Sequence, residues 1–144
     1  MSKEHPDHHD AELILKLYEL RREAVMRHSR TAMQAFLPRT WEDIQAILAP
    51  AHPDNAAWRQ VSSYWEMVYS FARHGVVNAD FLIENNAEGL FLFVKVRPHL
   101  ERFRKEFSPS AFRNAEWIAT QCETGRQRLN MIQTRVAKMM ETAK

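Results

Sequence analysis

Cysteine, glycine and long apolar runs are all scarce in this chain. Cys122 is the lone cysteine among 144 residues, so no intrachain disulfide can form, and the usage suits a reducing compartment. Three glycines are too few for a sheet protein built on many tight turns. The longest apolar run, Leu90–Val94, falls far short of the ~20 residues that a membrane-spanning helix needs. Residues 1–12 hold no apolar stretch of the kind a secretory signal requires. Phosphate-binding and dinucleotide-binding glycine loops, H-E-x-x-H and G-x-S-x-G are all missing. No Glu is followed by a His three residues later, which removes the paired ligand motif of di-iron bundles. These absences predict a cytoplasmic protein with no membrane segment, no cofactor, no metal site and no assigned catalytic residue.

What is present is an ordinary globular composition, 45% hydrophobic and 26% charged. A chain of this length suits one domain and can bury roughly 68–70% of its unfolded surface without a staple. The net charge of +2 is too small to indicate a nucleic-acid partner. Charge is nonetheless uneven. Residues 1–12 hold Glu4, Asp7, Asp10 and Glu12 against Lys3, whereas residues 95–106 hold Lys95, Arg97, Arg102, Arg104 and Lys105 against Glu101 and Glu106. The basic stretch reads as a solvated helix face.

Hydrophobic spacing predicts helices throughout. Residues 1–9 read as a mobile polar arm, and 10–144 as a single helical domain. A first helix is expected from Asp10 to Leu37, stopping before Pro38. Thr40 with Asp43 resembles a capping box opening a short helix through Leu48. Asp54 or Asn55 caps the next helix, with a stripe of Trp58, Val61, Trp65, Val68 and Ala72, and Gly75 ends it. Asn78 caps a short helix. Residues 88–97 read as a central helix, because no other segment offers a strand to pair with. Pro98 breaks it. Ser108-Pro109 reads as the start of a last helix reaching Ala143. The expected fold is an all-α bundle of five to six helices with a long C-terminal helix.

Two features bear on function. On the first helix, Arg21 and His28 fall on the apolar side, in line with Leu13, Ile14, Leu17 and Leu20. An inward charge needs a partner, and Glu66 on the Trp58–Ala72 helix is the best-placed carboxylate. Arg21, His28, Glu66, Tyr69 and Arg73 therefore make up a candidate polar pocket for an anionic ligand, or a structural pair that docks two helices. An enzyme built on this set would use Glu66 as base and His28 as acid, and nothing in the motifs favours one. The second feature is the last helix, where Ala115, Ile118, Cys122, Gly125, Leu129, Ile132, Val136 and Met139 alternate by three and four, a 3.5-residue seam. Its distal part, Leu129, Ile132, Val136 and Met139, is a candidate interface with a second copy; the alternative is a seam internal to the bundle.

The runs Leu17–Arg30, His52–Gly75 and Phe91–Arg104 resemble a family of small bacterial helical proteins known only as a domain of unknown function, over roughly residues 13–105. The resemblance implies a helical fold and a bacterial origin, and supplies no activity. The expected function is a non-enzymatic helical module for protein–protein contact, acting as a homodimer; the alternative is the anionic-ligand pocket at Arg21, His28 and Glu66.

Overall fold

A computed structural model of the chain describes residues 3–143; Met1 and Ser2 of the expected arm, and Lys144 of the expected domain, lie outside them. Among the described residues there are nine α-helices, one 3-10 turn and no strand. The chain is all-α. The helix count exceeds five to six because both long predicted helices are broken once and the segment after Pro98 is a helix in its own right.

The first break is at Glu23, between α1 (His8–Arg22) and α2 (Ala24–Ala35). Glu23 leaves the helical region at φ −59°, ψ 141°. Its carboxylate accepts from the backbone N–H groups of Val25 and Met26, each at 3.0 Å, doing the work usually done by Ser or Asp at an N-cap. Glu is a good helix-interior residue, so its sequence context carried no sign of a stop. The break puts the two halves out of phase. Leu17, Met26 and Met33 are buried, whereas Leu20 of the expected stripe is exposed, as is Val25. The expected arm is not free either. Lys3 Nζ lies 2.6 Å from the buried Asp10 carboxylate, whose other oxygen accepts from Asn78 N at 2.9 Å.

The middle of the chain follows its signals, except that Asp54 precedes its helix without a side-chain capping bond and the Asn55 side chain donates to Ile47 O instead. The Thr40–Asp43 capping box opens α3 (Trp41–Leu48). Helix α4 (Asn55–Arg73) buries its whole predicted stripe. Asn78 caps α5 (Ala79–Asn85) by accepting from Phe81 N. Helix α6 (Gly89–Val96) is followed by the Pro98-containing 3-10 turn and then by α7 (Leu100–Glu106).

Ser108-Pro109 does not start the next helix. The chain turns through residues 108–112, and α8 begins only at Arg113. Phe112 sits there at φ 57°, a region bulky residues avoid. Its ring packs between Trp58, Phe93 and Phe103 at centroid distances of 6.0, 6.3 and 6.0 Å, and that burial holds the strained backbone. The second break, at Cys122, separates α8 (Arg113–Gln121) from α9 (Glu123–Thr142). Gly125 makes it possible: a Cβ there would lie 2.0 Å from the Ile118 carbonyl oxygen. Asp80 of α5 fixes the joint by accepting from Thr124 N at 3.0 Å and from the Cys122 thiol at 3.3 Å.

One continuous core results. Helix α4 packs against α2 on one side and α8 on the other, and α9 closes over α6 and α8. Helix α6, apolar on most sides, touches α2, α4, α8 and α9. Its start presses against the α4 aromatics so closely that a Cβ on Gly89 would meet Trp65 and the Tyr69 hydroxyl at 2.7 Å. No helix among the described residues is long and apolar enough to cross a membrane.

Candidate functional site

The five residues singled out as a polar pocket are not gathered in one place. Arg21 donates to Asn86 Oδ1 and lies over the Trp65 ring at 5.7 Å. Tyr69, fully buried, donates to the Asn86 backbone oxygen at 2.8 Å. Those two thus meet at the end of α5. Burial pushes the Tyr69 phenol well above its usual range.

Glu66 has a different task. Helix α8 has no side-chain cap of its own, and the Glu66 carboxylate accepts from Asn114 N at 3.0 Å and Ala115 N at 2.8 Å. It caps a neighbouring helix, where the dipole favours an anion. Burial nevertheless raises its pKa, against the two backbone donors that lower it. Arg73 joins this corner by donating to Asn114 Oδ1 at 2.6 Å. His28 is exposed on α2. The expected Arg21–Glu66 docking pair does not form, because the kink at Glu23 turns Arg21 toward α5. Among the described residues no three His, Cys, Asp or Glu side chains come together as a metal site.

The distal seam of α9 is internal. Leu129, Ile132 and Val136 are buried in the chain's own core, and Met139 packs against it half-buried.

Between α2 and α9, above α6 and the edge of α4, lies a cavity of about 400 Å³. Its floor is core: Val61 and Trp65 from α4, Leu92 from α6 and Ile132 from α9. Met33, Met131 and Met139 add flexible apolar walls, a composition that adapts to ligand shape. Four cationic side chains line it, Arg30, Lys95, Arg128 and Arg135, against one carboxylate, Glu88.

These charges are not equivalent. Arg30 grips Glu88 with Nε and a terminal nitrogen at 2.8 and 2.7 Å, a two-pronged pair that guanidinium geometry favours. Its remaining nitrogen donates to the Arg21 carbonyl at the end of α1, at 3.2 Å. Arg30 and Glu88 thus form a closed, neutral end wall. Arg135 is exposed and Arg128 half-buried. Lys95 is only 3% exposed. Its ammonium donates to the Met33 and Gln34 carbonyls at 2.9 and 3.1 Å, capping the C-terminus of α2. No carboxylate among the described residues is within ion-pair distance of it. Burial alone brings its pKa down from 10.5 to about 8.

The sequence reading placed Lys95 on a solvated basic face. The structure separates it from that stretch: Arg97 and Lys105 are exposed, and Lys95 points inward. One signal was available. Lys95 is the single charged residue within the apolar run Leu90–Val96, and a helix apolar on nearly all sides has no solvated face to offer it.

A family model described as "Domain of unknown function (DUF4760)" matches residues 6–122. No curated protein and no solved structure is significantly similar to the chain. The match takes in α1 through α8 and ends at the residue that caps α9. The chain belongs to this family.

Proposed function

We propose that this DUF4760 protein binds a small, mostly apolar molecule in the cavity between α2, α4, α6 and α9. The observation that carries the reading is the cavity itself: about 400 Å³, within the size range of small-molecule sites, with an apolar floor and a few polar groups converging on it. Most of the lining is apolar surface, and an apolar ligand that covers it removes that surface from water. A ligand-binding bundle is thereby retained with a different lining, Arg30, Met33, Trp65 and Lys95 in place of Arg21, His28 and Glu66. Self-association loses its motive, since the seam that suggested it serves the monomer core.

The test is a titration with 2-naphthol, a neutral fluorophore that fits the cavity. Saturable one-to-one binding with a change in Trp65 emission is expected. Met131→Trp, at a half-exposed position on the mouth, should obstruct entry and weaken binding by about tenfold or more, the scale of a lost buried contact. Absence of saturable binding, or binding indifferent to Met131→Trp and to Ala87→Phe on the opposite wall, would overturn the proposal.

A further inference from the structure

Granting the cavity as the binding site, we infer that its ligand is a monocarboxylate with an apolar body, and that Lys95 is the residue that holds the carboxylate. An ammonium has three donors. In Lys95 two go to Met33 O and Gln34 O, which leaves one for a ligand. The carbonyls at the end of α2 supply only about half a negative charge. A full countercharge is still wanting, and among the described residues the protein gives none.

The other charges on the wall narrow the choice. Arg30 is neutralised by Glu88, so neither recruits a ligand charge. Arg128 and Arg135 stand at the mouth on α9, where cations draw anions inward without desolvating them. The buried part of the site therefore matches one negative charge. A dianion would bring in a second that nothing buried offsets, and uncompensated buried charge is strongly disfavoured. A cation would meet Lys95 head-on. Size sets the rest. At ~30 Å³ for each water-sized group, the cavity of about 400 Å³ holds roughly a dozen heavy atoms. Decanoate has that size and charge.

The capping of α2 is a purely structural role for Lys95, and head-group selectivity separates it from ligand binding. Calorimetric titrations of decanoate, 1-decanol and decyl phosphate into the full chain at about pH 7 should show decanoate tightest, ahead of decanol by about ten- to a hundredfold, the worth of one charge-assisted hydrogen bond. In Lys95→Met the preference should fall to about onefold. If that variant does not fold, the wild type serves alone: decanoate should weaken between about pH 7 and pH 10 as the ammonium is lost, and decanol should not. Equal affinity for decanoate and decanol, tighter binding of decyl phosphate, or a preference that survives Lys95→Met would each overturn the assignment to Lys95 and leave the cavity as a binding site. If neither decanoate nor decanol binds, the cavity reading falls with it.

Discussion

Replacing Lys95 by Met should turn a pH-dependent stability into a flat one over the range where the lysine titrates. In the folded chain the ammonium has a pKa of about 8 against 10.5 for an ordinary lysine. A difference of that size corresponds to about 3 kcal/mol between the two protonation states. The depressed value fixes the sign. Below about pH 8 both folded and unfolded chains carry the proton, and the fold bears the whole cost of burying it. Between about pH 8 and 10.5 the unfolded chain binds more protons, so stability rises with pH, by up to ~1.4 kcal/mol per unit. The contribution is complete above the unfolded pKa and is lost as pH falls through the folded one. Lys95→Met has no such segment. At neutral pH two effects oppose each other in the variant. It is relieved of the buried charge, but it strands the Met33 and Gln34 carbonyls, at about 1–3 kcal/mol for each group left dry. Net change at neutral pH should therefore be small. The informative quantity is the difference between wild type and variant, in which the other titrating groups cancel. Urea unfolding followed by circular dichroism across this pH range should show that difference moving by about 3 kcal/mol in favour of the wild type. Parallel curves would refute the reasoning, because they would mean that Lys95 is solvated.

Three residues at the joints of the fold, Glu66, Gly125 and Cys122, give further tests. Glu66→Leu removes the side-chain cap of α8 and should cost about 2 kcal/mol in urea unfolding, whereas Glu66→Gln keeps one acceptor and should cost about half as much. Because burial raises the Glu66 pKa, its contribution is fullest when it is protonated and declines as pH rises through the raised value; Glu66→Gln should lack that dependence. Gly125→Ala drives a Cβ into the Ile118 carbonyl and should cost about 2–3 kcal/mol, read as a lowered melting temperature; an unchanged melting temperature would contradict the break at Cys122. The Cys122 thiol, buried and pushed up to about 11, should resist a thiol reagent such as iodoacetamide in the native protein at neutral pH and react on unfolding.

Much of the fold was legible because its signals are local. The Thr40–Asp43 box, the Asn78 cap, the stop at Gly75 and the stripe from Trp58 to Ala72 depend on residues close in sequence, and each stands where its chemistry put it. The two breaks were not legible, and for the same reason. Glu23 and Cys122 are unremarkable as helix-interior residues, and their capping roles exist only because α2 and α9 fold away from the preceding helices. Ser108-Pro109 carried a strong local signal that the burial of Phe112 overrode. The candidate site failed through the same kink. Arg21 and His28 share a face only if α1 and α2 are one helix, and with the break Arg21 meets Asn86 while His28 faces solvent. Lys95 was hidden by its neighbours: counted with Arg97 to Lys105 it looks like one more surface cation, whereas counted with Leu90 to Val96 it is a charge in the core.

The most direct measurement is a crystal structure of the protein grown with decanoate. The carboxylate should lie within hydrogen-bond distance of Lys95 Nζ, about 2.7–2.9 Å for such a charged pair, with its chain running over Trp65 toward Ile132. Decanoate bound elsewhere, or lying in the cavity with its carboxylate turned to the solvent at Arg128 and Arg135, would contradict the role given to Lys95.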